Sequence, residues 1–275
     1  MRIDSHQHFW KYDAVRHSWL NDAMRKIRKD FLPSDLKPIL LKNNMDGCIA
    51  VQVDQTETET EFLLQLAAEN SFIKGVVGWV DLLSDDAEER LVHYSKYNSF
   101  KGVRHIVQEE SDDFMLGTEF QNGIRSLSQC NLTYDILIYP SQLSAAIALV
   151  EKFPNQKFII NHIAKPAITT GLDEYWVHGM QELGKHENVF CKLSGMVTET
   201  QQYKWNKNDF ASFLDVVVNA FGIDKVLFGS DWPVCLVAGE YHEVLQIITD
   251  YFANYSKTDL DKMMGGNAIK FYNIS

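Results

Sequence analysis

VLFGSDWPVC (residues 226–235) is a short apolar run that breaks into Gly229, Ser230 and Asp231. Three consecutive apolar residues closed by turn formers read as a strand buried on both faces, the type found in parallel sheets. Seven similar runs precede it: RIDSH (2–6), CIAVQV (48–53), KGVVGWV (74–80), KGVRHI (101–106), YDILI (134–138), FIINH (158–162) and VFCKLS (189–194). The segments between them carry helical periodicity. TETEFLLQLAAEN (58–70) places Phe62, Leu63, Leu66 and Ala67 on one stripe, SQLSAAIALVEKF (141–153) opens on Ser141 as an N-cap and runs into Pro154, and NDFASFLDVVVNAF (208–221) stops at Gly222.

Eight strand–helix units in 275 residues are what a closed parallel barrel requires, so the expected fold is α/β, a single (β/α)8 TIM barrel over 1–275. An open doubly wound sheet is the alternative. Against it, no GxGxxG follows the first strand and there is no GxxxxGK[ST]. The long stretch from about 9 to 46, aromatic and basic in FWKYDAVRHSWLNDAMRKIRKDFLP, is expected to lie over the catalytic face. A helix on the barrel flank is the other reading of it.

The net charge of -11, with no Lys/Arg block, disfavours nucleic acid and anionic membranes as partners. The longest apolar run near the middle, AAIALV (145–150), is far too short to span a bilayer, and the N-terminus lacks a leader pattern. A cytoplasmic protein is therefore expected, and a homo-oligomer is compatible with the sequence. Cys48, Cys130, Cys191 and Cys235 are widely spaced and read as reduced thiols, mostly buried.

In a barrel, side chains at the C-terminal strand ends form the active site. His6 and His8 alternate onto one side of the first strand, roughly 7 Å apart. Asp231 ends the eighth strand, which lies beside the first once the barrel closes, so it faces both histidines. His162 ends the sixth strand. Arg104 and His105 end the fourth and offer cations to a substrate oxygen. Tyr139 follows the fifth and can donate a hydrogen bond. Trp10, Trp19, Trp79 and Trp232 are candidates to stack on a ring-shaped substrate, and Ser194 is a further polar group. Lys192 reads as a residue snorkelling on the outer face. Each of these has a plain alternative: HxH as two hydrogen-bonded strand-end histidines, His162 as a satisfied core histidine, Asp231 as a turn cap, the tryptophans as core or rim. No GxSxG elbow is present, which disfavours a serine hydrolase.

IDSHQHFW, DFLPSDLKPIL, KGVRHIVQEE, KFIINHIAKP, VFCKLSGMVTE, VLFGSDWPVC and GGNAIKFY together resemble the amidohydrolase superfamily, in its branch of fuconolactonase-like sugar-lactone hydrolases. These phrases span the chain. The resemblance implies that His6, His8, His162 and Asp231 line the site with Arg104 near the substrate, and that the substrate is an aldonolactone such as L-fucono- or L-rhamnono-lactone. Other members carry a metal-bridging Lys or a ligand His at strands 4 or 5. Here strand 5 ends in Ile138-Tyr139-Pro140, so two metals are not expected. One zinc on His6, His8 and Asp231, with or without His162, satisfies the three-ligand catalytic pattern, and metal-free catalysis is the equal alternative. Asp231 would take a proton from water and return it to the ring oxygen, while His8, His162 and Arg104 stabilise the oxyanion. Three other readings stay open: a zinc-dependent non-oxidative decarboxylase, a pyrone-dicarboxylate hydrolase using Arg104, Lys101, Lys165 and Arg16 or Arg25, and a binding protein on a retired barrel.

Overall fold

The computed structural model describes residues 1–274. Eight parallel strands follow one another around a single sheet in chain order: β1 (Ile3–Gln7), β2 (Gly47–Val51), β3 (Ile73–Gly78), β4 (Phe100–His105), β5 (Thr133–Ile136), β6 (Phe158–Ile160), β7 (Val189–Leu193) and β8 (Val226–Phe228). A helix follows each strand: α1 (Pro33–Lys42), α2 (Glu57–Glu69), α3 (Ala87–Tyr94), α4 (Thr118–Gln129), α5 (Leu143–Lys152), α6 (Glu174–Gly184), α7 (Ala211–Phe221) and α8 (Tyr241–Tyr251). Two short helices, α9 (Lys257–Asp261) and α10 (Asn267–Phe271), complete the chain. This is the (β/α)8 barrel that the alternation of apolar runs and amphipathic segments predicts.

The barrel closes just beyond the strand ends. The Asp231 amide donates to the His6 carbonyl at 2.8 Å, and the His8 amide donates to the Trp232 carbonyl at 2.7 Å. The Asp4 carboxylate straps the same seam, accepting from the Ser230 amide at 2.9 Å and the His6 amide at 3.2 Å. The main-chain bonds that complete the sheet therefore run through the residues expected to do chemistry.

Apolar side chains fill two regions. The larger lies between strands and helices. The smaller fills the barrel floor, where Ile3, Ile49, Val51, Val77, Ile159, Phe190 and Leu227 meet Phe271, Tyr272 and Ile274. The floor is thus plugged by the C-terminal segment. A Cβ on Gly265 would stand 2.1 Å from the Met1 carbonyl oxygen, so only glycine lets that segment seat against β1. Truncating a floor residue such as Ile159 to alanine should destabilise by about 2–5 kcal/mol.

Several details differ from the sequence reading. The expected sixth and eighth strands stop at Ile160 and Phe228, before His162 and Asp231. The α5 helix starts at Leu143, because Pro140–Gln142 forms a separate tight turn and the Ser141 hydroxyl bonds Asp112 at 2.8 Å instead of capping the helix. The 9–46 stretch divides. A bridge between Trp10 and Phe31 closes its base, its 22–27 turn sits over the barrel mouth, and α1 packs on the flank through Leu36 and Leu40. Among the described residues no helix is long and apolar enough to cross a membrane.

Candidate active site

At the C-terminal end of the barrel lies a cavity of about 410 Å³. His8, Arg104, His162 and Asp231 form its base, and Tyr139, Lys165, Thr198, Glu199, Tyr203, Glu109 and Gln108 its walls. Trp19 and Met24 reach in from the loop over the mouth.

His8 Nδ1 lies 2.7 Å from the Val51 carbonyl. A carbonyl only accepts, so Nδ1 carries the proton and Nε2 presents a lone pair. That Nε2 stands 3.2 Å from His6 Nε2 and 3.2 Å from Asp231 Oδ1. His6 is wholly buried; Lys192 Nζ sits 3.2 Å from its Nδ1 and Arg104 Nη1 3.4 Å from its Nε2. Burial holds His6 well below the usual imidazole range, and the charge of Lys192 adds to this. Burial likewise lowers His8.

His162 belongs to an unusual turn. His162, Ile163, Ala164 and Lys165 have φ of 52°, 47°, 58° and 49°, four consecutive left-handed residues, one of them β-branched. Conformations of this kind cost of order 1–3 kcal/mol per residue and persist only where the surroundings impose them. The turn sends His162 towards Asp231, with Nε2 3.9 Å from Oδ1, while the Ser194 hydroxyl holds Nδ1 at 2.9 Å. Burial pushes His162 down to about 3, so it is neutral in ordinary buffers. Gly195 makes room for it: at φ 65° a Cβ there would lie 2.3 Å from His162 Nδ1. Burial tends to raise Asp231, yet it lies below the ordinary carboxylate value, with Lys165 the permanent cation among the neighbours that lower it.

His6, His8 and Asp231 present ligand atoms all within 4.8 Å of one another, and among the described residues they form the single such grouping. Two imidazoles and a carboxylate, one imidazole oriented by a backbone carbonyl, suit one divalent cation. The neighbouring charges of Lys192 and Arg104 weaken the hold of such a site on it.

The amidohydrolase family model matches residues 3–274. The chain belongs to that family. This amidohydrolase is 33% identical to the L-fucono-1,5-lactonase of Burkholderia ambifaria and 34% identical to that of Burkholderia multivorans, in each case over 99% of this chain and 96% of the relative. Its fold is similar to that of an amidohydrolase from Burkholderia multivorans solved with bound zinc, at a TM-score of 0.96 and 34% identity over the full length of both chains.

Not every residue singled out in the sequence of this amidohydrolase reaches the cavity. His105 turns away to the Glu110 carboxylate at 3.0 Å and stacks on Phe114, because alternation along β4 sends Arg104 inward and its neighbour out. Trp10 lies beneath the lid, its Nε1 donating to the Lys29 carbonyl at 2.8 Å. Trp232 is buried against Phe9 and Phe31. Neither can stack on a substrate here, and Trp79 also stays outside; Trp19 is the tryptophan at the mouth. Arg104 is held through its guanidinium by Gln52 and, at 3.4 Å, by Asn161. Lys101 donates to the Asn273 carbonyl at the far end of the barrel, Arg16 lines a neighbouring pocket and Arg25 is exposed, so the cationic cluster imagined for a dicarboxylate does not assemble.

Lys192 is the plainest correction. It does not snorkel outward but lies inside the barrel, fully buried, paired with Asp135 of β5. Asn161 donates to the same carboxylate at 2.9 Å, and the Tyr272 hydroxyl donates to it from the plugged floor at 3.2 Å. Glu199, paired with Lys165 at 2.6 Å, was also missed. The available signal was its position: a carboxylate a few residues beyond a strand end, as Asp231 is.

Proposed function

We propose that this chain opens a sugar-type lactone, with L-fucono-1,5-lactone the first substrate to test, to the corresponding aldonic acid. The observation that carries this is the end-to-end similarity to two L-fucono-1,5-lactonases, combined with a buried carboxylate at the base of a cavity sized for one small ring.

Asp231 is the general base. Its carboxyl lies below its ordinary value despite burial, with the Lys165 ammonium nearby, so it is ionised at neutral pH and ready to take a proton from an attacking water. His8, with its lone pair fixed inward, orients that water. Arg104, buried and charged, faces the oxyanion that forms as the carbonyl carbon becomes tetrahedral. His162 is neutral and packs beside the same centre. Tyr139 and Trp19 border the space left for the sugar hydroxyls and ring. A divalent ion held by His6, His8 and Asp231 would add Lewis-acid polarisation of water or carbonyl.

The cavity lining carries three carboxylates (Asp231, Glu109 and Glu199) against two permanent cations (Arg104 and Lys165). This balance favours a neutral polyol lactone over a pyrone dicarboxylate. The test is acid release, followed with a pH indicator, from a panel of aldonolactones that includes L-fucono- and L-rhamnono-lactone. Asp231→Asn should lower turnover by about 10²–10⁴-fold while remaining folded. Failure of the wild-type chain to accelerate any member above the spontaneous rate would sink the reading.

A further inference from the structure

Opening a lactone needs a proton at the ring oxygen as well as a base at the attacking water. The proton can come back from the Asp231 carboxyl or from a second group on the leaving-group side; this inference rests on the lactonase reading and concerns the second route. Arg104 does not release its proton in a protein. His8 Nε2 carries no proton because Nδ1 donates to the Val51 carbonyl, Lys192 and Arg104 face both ring nitrogens of His6, and His162 Nδ1 is held by the Ser194 hydroxyl.

Lys165 differs from all of these. It lines the same cavity as Asp231 and His162. Glu199 takes one of its three ammonium hydrogens at 2.6 Å, and the Tyr139 ring lies under the charge with its centroid 5.7 Å away. Among the described residues no other hydrogen-bond partner holds the ammonium, which leaves two N–H groups for a ligand. The left-handed turn accounts for the aim: His162 and Lys165 are three positions apart on one turn and so project to the same side of it. A chain that tolerates four left-handed residues in a row, Ile163 among them, places both groups together at the cavity by doing so.

We propose that Lys165 is the general acid that protonates the leaving ring oxygen, with Glu199 and Tyr139 as the residues that position it. In the balanced sequence, water adds to the carbonyl carbon and gives a proton to Asp231. The tetrahedral intermediate then breaks its bond to the ring oxygen, and that oxygen takes a proton from the Lys165 ammonium. The amine left behind recovers a proton from the Asp231 carboxylic acid through cavity water, and the aldonic acid leaves. No other reactant is required.

The test compares wild type with Lys165→Met on an aldonolactone carrying ¹⁶O or ¹⁸O at the ring position. Without the acid, expulsion of an unprotonated alkoxide becomes limiting. Lys165→Met should lower kcat/KM by about 100-fold or more and raise the ring-¹⁸O isotope effect. Lys165→Arg, which keeps the charge but not a transferable proton, should stay low. Lys165→Met/Glu199→Gln removes the stranded carboxylate and provides a second, better-folded background for the same measurement. Loss of rate with an unchanged isotope effect in both backgrounds would assign Lys165 to binding or structure and overturn the proposal, as would a loss smaller than about fivefold. A wild-type chain inert towards every aldonolactone would overturn the lactonase reading and this proposal with it. With an active wild type, the same losses bear on Lys165 alone.

Discussion

His8 gives its Nδ1 proton to the Val51 carbonyl at 2.7 Å and thereby turns a bare Nε2 towards Asp231, 3.2 Å away. Two acceptors face each other with no hydrogen between them, an arrangement that attracts either a donor such as water or a cation. Metal binding should therefore depend on this one residue. Zinc titrated into protein stripped with a chelator should saturate at one ion or fewer per chain, and His8→Ala should weaken the affinity by at least tenfold. Equal zinc uptake by wild type and His8→Ala, measured calorimetrically, would place the ion elsewhere.

The pH profile of kcat/KM should lack a histidine limb. Burial holds His162 at about 3 and keeps His6 and His8 below the usual imidazole range, so nothing in the catalytic set changes charge near pH 6.5. The acid limb should fall below the ordinary carboxylate value of 3.8, set by Asp231 losing its charge. An inflection between pH 6 and 7 would contradict the neutral assignment. Stability follows a matching sign. A histidine whose folded value is depressed binds its proton first in the unfolded chain. His162 therefore costs stability progressively as pH falls from about 6.5 towards 3. Asp231 adds to the same trend, because its depressed value contributes stability above 3.8 that is lost as pH falls through the folded value. His162→Gln should flatten the fall in thermal midpoint over that acid range.

Gly195→Ala should be far more harmful than its size implies. The added methyl would lie 2.3 Å from His162 Nδ1 on a backbone at φ 65°. Either the ring moves off Asp231 or the β7 end shifts. We expect kcat/KM to fall at least tenfold with a loss of about 1–3 kcal/mol in stability. An alanine variant with wild-type kinetics would show that His162 does not need its present place.

The Asp135–Lys192 pair inside the barrel sets up a double-mutant cycle. Removing one partner strands a charge with no route to water, so Asp135→Leu or Lys192→Met alone should cost about 3–5 kcal/mol. The double variant should recover much of that loss in stability while remaining poor in turnover, since Lys192 also contacts His6 at 3.2 Å. Additive losses in denaturant unfolding would mean that the two charges do not interact.

The barrel was legible in the sequence because strands buried on both faces are unbroken apolar runs, and eight such runs alternate with amphipathic helices. The polar residues at the cavity base stand out for a related reason: His6 and Arg104 lie near the C-terminal ends of β1 and β4, and His8, His162 and Asp231 follow one to three residues after β1, β6 and β8. The strand ends were less visible. In FIINHIAKP nothing marks the left-handed turn, since Ile163 and Ala164 are residue types that avoid it and only the folded surroundings impose it. Lys192 was misplaced because alternation gives a side chain a face but does not say whether a partner waits there; Asp135 lies 57 residues earlier in the chain. His105, Trp10 and Trp232 sat at the right height in the sequence but on the wrong side of the backbone or beneath the lid.

The seam between β1 and β8 has a consequence for how the molecule comes into being. His8 and Asp231 are 223 residues apart in sequence, and the bonds that join their strands are also the bonds that assemble the base and its histidines. Contacts between such distant segments close late in folding. A nascent chain on the ribosome gains no turnover until its eighth strand has emerged. In refolding, the return of activity times the moment the circle is completed, a step that helix content measured by circular dichroism would largely miss.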